Sequence, residues 1–387
     1  MSGTRVIGVL GASGAVGRAA VRELRDLGHG ALRLGGRRTD ALRAVAGQEL
    51  AGGGDVVRAD AADAASLAAF VRGCDVVLNC AGPTYRLRAT VASAALAAGA
   101  HCVDVAGDDP AAEDLLADGD PAREGRTVIL SAGALPGLSA ILPRWLARQD
   151  LDGVLDGVSA LTAHCGGLEP CSPTVAVDLM LSLTAGGANG AAYGEPLAAV
   201  RGGRRTSRAL RAVEDAEIPG FPGRVAVQPF LSGESERLAT LLGLERVDWF
   251  NVHPGPQVRA LLNLLPGRLA AGADLGELAT RLILAADLDL AGRTPYYVLG
   301  FQLTGTSAGR PARRRLTVRT ASSYRLTAAV GALAVDAIVR ASVPPGVHFA
   351  CDVLDPGTVV DRLRGGGAVE RFELSESAGE PVEEGVL

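Results

Sequence analysis

Residues 6–17 read VIGVLGASGAVG, an apolar run followed by the glycines Gly11, Gly14 and Gly17. A short apolar run of this kind predicts a buried β-strand, and the alanine-rich segment from about Ala15 onward predicts a helix. Glycine at the turn between them permits backbone conformations and close approaches that other residues do not. The stretch therefore predicts the first strand–turn–helix unit of a parallel α/β sheet.

A helix that begins directly at such a turn presents unpaired backbone amides and a partial positive charge to an anion. The serine in the turn adds a hydroxyl donor. This combination predicts a dinucleotide site with the pyrophosphate at the start of the helix. The alternative is a glycine-rich turn without a ligand. The residues expected to contact the dinucleotide here are Gly11, Ser13, Gly14, Ala15, Val16 and Gly17.

The strand–helix alternation continues through the first 130 residues. Strands are predicted at 5–10, 31–34, 55–58, 75–80, 101–105 and 127–131, and helices near 15–28, 39–46, 64–72, 86–99, 110–117 and 136–149. Short apolar runs that alternate with longer helical segments are typical of a doubly wound parallel sheet with helices on both faces, the Rossmann-type α/β fold.

Beyond residue 150 the pattern changes to longer apolar runs interrupted by Gly- and Pro-rich loops. Strands are predicted at 157–163, 224–229, 296–304 and 312–320, and helices near 174–185, 234–243, 256–264 and 274–287. This mixture predicts an α+β second domain. Further along, 326–339 and 355–365 read as a buried helix and an Asp-capped helix.

Composition excludes several classes of function. The chain has 4% aromatic residues and a net charge of −5, whereas nucleic-acid binding needs a basic face, so no nucleic-acid partner is expected. All 38 basic residues are arginine, most simply through a bias towards GC-rich codons. Without lysine, neither an internal Schiff base nor a lysine-containing P-loop can form.

Cysteine usage and hydropathy bear on location. The six cysteines form no CxxC pair and no export signal is visible, which predicts reduced thiols in the cytoplasm. The most apolar helix candidate, 326–339, is too short to span a bilayer and contains Asp336. We therefore expect a soluble, cytoplasmic protein with no membrane partner.

The second predicted strand leads into Gly35, Gly36, Arg37 and Arg38. Dinucleotide-binding proteins that prefer NAD place an acid at this point, where it binds the adenosine ribose diol. Two glycines leave room for a 2′-phosphate and two guanidiniums can form paired hydrogen bonds with it, which favours NADP. The alternative is that both arginines are solvated at a helix start. Asp60, after the third strand, is either an adenine-edge acceptor or a helix N-cap.

The carboxyl ends of the later strands should border the rest of the dinucleotide, because ligands of doubly wound sheets bind at that edge. The residues expected along the ribose and phosphates are Asn79, Cys80, Ala81, Gly82 and Pro83. Those expected at the nicotinamide end are Ala106, Gly107, Ala132 and Gly133.

Taken together, these motifs resemble the saccharopine dehydrogenase/reductase group of NADP-dependent oxidoreductases. The resemblance rests on GASGAVG, the GRR after the second strand, DVVLNCAGPTYR, AGAHCVDVAGD and SAGALPGLS, and it covers the first 150 residues well. The stretch AHCGGLEP is similar to a glycine-rich turn of that family's substrate domain.

The resemblance implies a cofactor domain that C-terminal segments complete after an inserted substrate domain. It also implies hydride transfer at a carbon–nitrogen bond and frequent homodimerisation. The expected divisions are 1–140 with 325–374 for the Rossmann domain, 141–324 for an inserted α+β substrate and dimerisation domain, and 375–387 for a flexible acidic tail.

Candidate chemical groups follow from where the predicted strands end. His164 and Cys165 precede Gly166 and could project into the interdomain cleft as catalytic residues, although a histidine packed at a sheet edge fits as well. Tyr85 could donate a proton, hold substrate or simply pack, and Asp104 could tether a loop. No metal is expected, because the spacing is poor for zinc. Candidates for substrate binding, each also readable as a solvated or loop residue, are Arg204, Arg205, His253 and Arg259.

We therefore predict an NADPH-dependent oxidoreductase that reduces the C=N bond of a small imine, formed from an amine or amino acid and a carbonyl compound, in biosynthesis. One alternative is reduction of a C=C or C=O bond in a biosynthetic intermediate. A second alternative is a sensor that binds NADPH without turnover.

Overall fold

The first part of the chain alternates strands and helices in a computed structural model that describes residues 5–149, 155–184 and 193–378. The strands are β1 (Ile7–Leu10), β2 (Leu32–Gly36), β3 (Asp55–Arg58), β4 (Val76–Asn79), β5 (His101–Asp104) and β6 (Thr127–Leu130). The helices are α1 (Ala15–Asp26), α2 (Thr39–Glu49), α3 (Ala64–Val71), α4 (Thr84–Leu87), α5 (Thr90–Ala97), α6 (Asp109–Asp118) and α7 (Leu138–Ala147). A short 3₁₀ helix, Pro121–Glu124, precedes β6.

The later elements are mixed. They comprise β7 (Gly157–Leu168), α8 (Pro173–Thr184), β8 (Gly194–Pro196), β9 (Ala199–Arg201), β10 (Arg204–Thr206), β11 (Val213–Glu217), β12 (Arg224–Ser232), α9 (Gly233–Leu242), β13 (Arg246–His253), α10 (Pro256–Ala270), α11 (Leu275–Leu290), β14 (Tyr296–Ser307) and β15 (Arg310–Thr320). The C-terminal elements are α12 (Ser323–Val339), β16 (Gly346–Phe349), α13 (Ala350–Val353), α14 (Pro356–Gly365) and β17 (Arg371–Ala378).

The first sheet is parallel, in the order β16-β6-β5-β4-β1-β2-β3. The chain runs outward from β1 to β3 and then returns to the other side of β1 with β4. This reversal is the topological switch point at which doubly wound sheets bind their ligands. The predicted Rossmann-type α/β class, with a second α+β domain, is confirmed.

The second sheet follows the path β10-β9-β13-β7-β14-β15-β17, and β8, β11 and β12 are attached to it beside β13. Helix α12 packs on β4 and β5 of the first sheet, α7 packs on β14 and β15 of the second sheet, and α9 contacts α7, β12 and β13. Leu161 and Leu299 of the second sheet, Val330 of α12 and Ile7 of the first sheet belong to one contiguous buried core. The two sheets are therefore held together by shared apolar packing.

The C-terminal expectation needs correction. Strand β17 pairs with β15 in antiparallel register, with Leu374 opposite Leu316, although the sequence predicted 371–374 in the first domain and a flexible tail from 375. Phe372 and Leu374 alternate with exposed polar residues, and this two-residue period buries one face of the strand. Residues 379–387 lie outside the described part. The other domain limits stay a prediction.

Two further local differences arise from the backbone. The helix predicted at 86–99 is divided into α4 and α5 at Arg88, which has a φ of +44°. Strand β7 continues five residues past the predicted end at 163. Within the described residues, no helix is both long enough and apolar enough to cross a membrane.

Candidate functional site

The glycine turn after β1 brings two backbone segments into direct contact. Gly11 has a φ of +79°, and a Cβ there would lie 2.8 Å from the carbonyl oxygen of Cys80. A Cβ on Gly17 would lie 2.2 Å from the carbonyl oxygen of Gly11. Only glycine fits these positions, because Gly11 lies against the backbone that follows β4 and Gly17, at the start of α1, lies against the backbone that follows β1.

The start of α1 can accept an anion. Gly14 is the N-cap and offers no capping side chain, and the first helical hydrogen bond runs from the Arg18 amide to the Gly14 carbonyl at 3.0 Å. The amides of the first turn, from Ala15 onward, have no acceptor within the helix. A pyrophosphate would supply acceptors and complement the helix dipole. The loop residues predicted for the cofactor therefore form a suitable cradle.

The end of β2 gives its two glycines different roles. A Cβ on Gly35 would lie 2.4 Å from the ring of Phe70, so packing in the core requires this glycine. A Cβ on Gly36 would lie 3.4 Å from Leu42 and 3.7 Å from the Ser13 hydroxyl, on the side of the glycine turn. The sequence interpretation, in which both glycines make room for a phosphate, is thus corrected for Gly35.

Arg37 and Arg38 are exposed directly beyond Gly36. No hydrogen bond or ion pair of either guanidinium is present within the described ranges. Asp60, in contrast to the two arginines, already has a hydrogen-bond partner, because its Oδ1 accepts from the Ala62 amide at 3.0 Å. The N-cap of α3 is Asp63, so the N-cap alternative for Asp60 is wrong. Its contact with adenine stays a prediction.

The end of β4 is fixed by a buried polar pair. Asn79 donates to Asp104 at 2.7 Å and accepts from the Ala81 amide at 3.0 Å. Burial raises the pKa of Asp104 to about 6, although hydrogen bonds from Asn79 and the Ala106 amide lower it. Asn79 and Asp104 therefore join the carboxyl ends of β4 and β5. Cys80 lies beside them, and burial raises the pKa of its thiol.

The next turn, with a cis Gly82–Pro83 bond, contacts the second domain. A Cβ on Gly82 would lie 2.5 Å from Thr174 of α8. Asp178, also on α8, accepts from the amides of Thr84 and Tyr85 at 3.1 and 3.3 Å. Burial raises the pKa of Asp178 to about 6. The sequence analysis missed Asp178, although it is the single charged residue of an otherwise uncharged helix.

Tyr85 lies at this domain boundary. Its ring packs against that of Tyr193, with centroids 4.0 Å apart. Burial raises the pKa of Tyr85, and the carboxylates of Asp178 and Asp108 raise it further. A phenol with a raised pKa is a poor proton donor at neutral pH. Packing against Tyr193 therefore explains the position of Tyr85 better than the predicted catalytic role does.

The ends of β5 and β6 are joined through backbone contacts. The Ser131 hydroxyl donates to the carbonyl of Gly107 at 2.9 Å, and the Ala132 amide donates to that of Asp104 at 2.9 Å. A Cβ on Gly133 would lie 2.3 Å from the carbonyl oxygen of Val105. Ala106, Gly107, Ala132 and Gly133 thus lie together at the carboxyl edge, where the sequence predicted the nicotinamide end.

The second domain holds the loop after β6 through Glu234 of α9, which the sequence analysis missed. Glu234 is 3% exposed and accepts from the Gly137 amide at 2.8 Å and from the Ser139 hydroxyl. Burial raises its pKa to about 7. One turn further along α9, Arg237 pairs with Asp108 at 2.7 Å and also with Asp109. These contacts fix α9 to the cofactor edge.

The raised pKa of Glu234 makes the free energy of unfolding depend on pH. Its ordinary pKa is 4.5, so between pH 4.5 and about 7 the folded protein holds a proton that the unfolded chain has lost. The stability contribution of this group therefore falls as pH rises through that window. We expect Glu234→Gln to gain stability relative to the native protein across it, by up to about 3 kcal/mol.

Urea titrations at several pH values measure this difference. Glu236→Gln is the matched control, because Glu236 lies on the same helix but is partly exposed and pairs with Arg205. It should not reproduce the gain. A Glu234→Gln difference that stays constant from pH 4 to 8 would contradict a buried, proton-holding carboxyl.

His164 and Cys165 do not lie at a strand end. They occupy the interior of β7, where Gly166 and Gly167 continue the strand between β13 and β14. Adjacent strand residues face opposite sides, so His164 stacks on Phe250, 4.9 Å away, while Cys165 is buried in the core towards the first domain. Burial lowers the pKa of His164 to about 4. The predicted glycine-rich turn is wrong, and neither residue enters our proposal.

The predicted substrate-binding residues are dispersed. Arg205 pairs with Glu236, and Arg259 lies 3.4 Å from Glu214. Arg204 is exposed on β10, the edge strand of the second sheet. His253 ends β13 rather than lying in a loop, and burial lowers its pKa to about 4. These side chains form no common carboxylate site.

Comparison with known proteins identifies the first domain. Residues 7–129 match the family model described as the saccharopine dehydrogenase NADP binding domain. Saccharopine dehydrogenase (L-Glu forming) from Saccharomyces cerevisiae shares 15% identity and a TM-score of 0.66, over 97% of this chain and 100% of that chain. A putative myo-inositol dehydrogenase from Sinorhizobium meliloti 1021 has 11% identity and a TM-score of 0.46, over 96% of this chain and 99% of that chain.

The yeast structure shows a common fold over nearly the whole length. The family match spans the glycine turn, the two arginines after β2 and the polar ends of β4 and β5. The predicted cofactor, NADP(H), is thereby confirmed. Residues 7–129 of this chain are thus similar to the NADP binding domain of saccharopine dehydrogenase.

Proposed function

We propose that this NADP-dependent oxidoreductase reduces the C=N bond of a protonated imine, formed between an amine and a carbonyl compound. The observation that carries the proposal is the row of carboxylates at the cofactor edge: Asp104, Asp108 and Asp178. Burial raises the pKa of all three. Burial raises these pKa values because it disfavours the ionised carboxylate, and a cationic ligand bound beside the carboxylates would favour the ionised form again.

The charges of these side chains favour a cation over an anion. The guanidinium of Arg237 is already paired with Asp108 and Asp109. A substrate carboxylate would therefore meet like charges. An iminium ion would meet Asp178 and Asp104, whose carboxylates stabilise its positive charge.

The chemistry also fits the shortage of a proton donor. When bound, NADPH supplies a hydride to carbon, and an iminium nitrogen takes up the released π electron pair without needing a proton from the protein. Reduction of C=O needs a donor for the developing alkoxide. Tyr85 is poorly suited to that role because burial raises its pKa. The residues of this chain would therefore bind and orient the iminium carbon.

A matrix of substrates tests the reaction type. Carbonyl compounds, amines, their mixtures and enones are each added to the protein with NADPH, and the loss of NADPH absorbance is recorded. We expect turnover only where amine and carbonyl compound are both present. Turnover with a ketone or an enone alone would overturn the proposal in favour of C=O or C=C reduction, and tight NADPH binding without any turnover would favour a sensor.

A variant that cannot bind NADPH controls for turnover by contaminating reductases in this assay. Gly17→Ala blocks the glycine turn, so its preparation should lack turnover while containing the same impurities. The biosynthetic role, a small-molecule partner, the homodimer and the cytoplasmic location stay predictions. Mass measurement by light scattering tests the homodimer.

A further inference from the structure

The corner of the first sheet formed by β2 and β3 carries an arginine that the sequence analysis did not consider. Arg58 is the last residue of β3 and lies opposite Gly36 in the parallel register. Residues paired across neighbouring strands point to the same face of a sheet. Arg58 therefore projects from the face on which a Gly36 side chain would approach Ser13 and Leu42.

Nothing on β2 separates Arg58 from the turn that follows that strand. Neighbouring strands lie about 4.8 Å apart, and Gly36 has no side chain to fill the gap. Arg58 is exposed, as are Arg37 and Arg38 directly after Gly36. The three guanidiniums thus belong to one corner of the sheet, beside the glycine turn.

The three carboxylates of β3 and the loop after it have hydrogen-bond or ion-pair partners, whereas Asp40, in the first turn of α2, is exposed. Asp55 pairs with Arg33 at 2.7 Å, the Oδ1 of Asp60 accepts from the Ala62 amide, and Asp63 caps α3. Over the described ranges, Arg58, Arg37 and Arg38 have neither a hydrogen bond nor an ion pair from their side chains. A protein of net charge −5 thus places three arginines without an ion pair at this corner of the sheet. Such a cluster is stabilised when an anion binds it.

We propose that Arg58 is a third arginine of the site for the 2′-phosphate of NADPH and contributes to the preference for NADPH over NADH. A phosphate monoester carries a charge of about −1.5 to −2 at neutral pH and three strong acceptor oxygens. These oxygens can accept hydrogen bonds from more than two guanidiniums. The proposal rests on the NADP-binding domain and is independent of which bond the protein reduces.

Binding measurements on two variants, each of which loses one arginine, test this role. Arg58→Ala is compared with Arg72→Ala, because Arg72 is also exposed but ends α3 at the opposite edge of the sheet. Dissociation constants are measured for NADPH and NADH, and for adenosine 2′-phosphate and adenosine 5′-phosphate. We expect Arg58→Ala to weaken NADPH and adenosine 2′-phosphate about five- to tenfold, as one charged hydrogen bond in a solvated site would. NADH and adenosine 5′-phosphate should change less than twofold.

Two further results decide the assignment. Arg58→Lys should recover part of the lost affinity, and the difference between Arg58→Ala and the native protein should shrink at high salt, because the contact is ionic. Equal weakening of NADPH and NADH would overturn the proposal, as would an Arg72→Ala loss as large as that of Arg58→Ala. An Arg37→Ala/Arg38→Ala double variant serves as the reference. If the double variant abolishes the preference for NADPH over NADH completely while Arg58→Ala leaves that preference intact, Arg58 has no part in the preference.

Discussion

Gly17→Ala should abolish NADPH binding under assay conditions, with a loss of affinity of about 100-fold or more. The added Cβ would lie 2.2 Å from the carbonyl oxygen of Gly11 and 2.7 Å from the Cα of Ala12. Both are backbone atoms, so no side chain can rotate away, and α1 must move off the end of β1. That movement removes the free amides from the pyrophosphate. The expected overpacking cost is about 1–3 kcal/mol of stability.

Gly47→Ala is the matched control for this prediction. Gly47 lies in α2, and a Cβ there would have nothing within 4 Å. Alanine is the better helix former, so this variant should be more stable by about 0.5–1 kcal/mol with unchanged NADPH affinity. Calorimetric titration with NADPH, at a temperature where circular dichroism shows both variants folded, separates lost binding from unfolding. Normal NADPH affinity in folded Gly17→Ala would mean that α1 does not hold the cofactor.

The first domain could be predicted closely from sequence because its signals are local. VIGVLGASGAVG combines a strand run, turn glycines and a helix start within twelve residues. The later strands end in polar or glycine residues, and their common edge follows from parallel topology. Asn79 was therefore placed correctly at the carboxyl edge, although its hydrogen bond to Asp104 could not be derived from spacing.

The second domain was harder because its contacts are distant in sequence. The glycines after His164 read as a turn, yet they lie within a strand whose two neighbours, β13 and β14, are supplied more than eighty residues later. A Cβ on Gly166 would lie 2.0 Å from the carbonyl oxygen of Val252, a close approach that only the folded sheet reveals. Strand β17 was missed for the same reason, since its partner is β15.

The same distance in sequence hid the residues by which the second domain contacts the cofactor edge. Asp178 reaches the amides of Thr84 and Tyr85 across more than ninety residues, and Glu234 reaches Gly137 across ninety-seven. Each carboxylate was visible in the sequence: one lies in an otherwise uncharged helix, and the other in the first turn of α9. Their hydrogen-bond partners could not be predicted, because these are backbone amides, which every residue type except proline carries.

Gly36→Asp should reverse the cofactor preference. The new side chain would start 3.7 Å from the Ser13 hydroxyl, on the face that Arg58 shares, and its Cβ would only touch Leu42 at 3.4 Å. A carboxylate there repels the 2′-phosphate and pairs with the nearby arginines, while it can accept hydrogen bonds from the ribose diol of NADH. We expect NADPH to bind about 10- to 100-fold more weakly and NADH about three- to tenfold more tightly.

Two neighbouring variants separate charge from packing in this test. Gly36→Asn has nearly the same shape without the charge, so it should keep most of the NADPH affinity. Gly35→Ala places a Cβ 2.4 Å from the Phe70 ring, so it should lower stability by about 1–3 kcal/mol and weaken both cofactors alike. Dissociation constants for NADPH and NADH, set beside urea midpoints, distinguish these patterns. Parallel losses for both cofactors in Gly36→Asp would place the 2′-phosphate away from the end of β2.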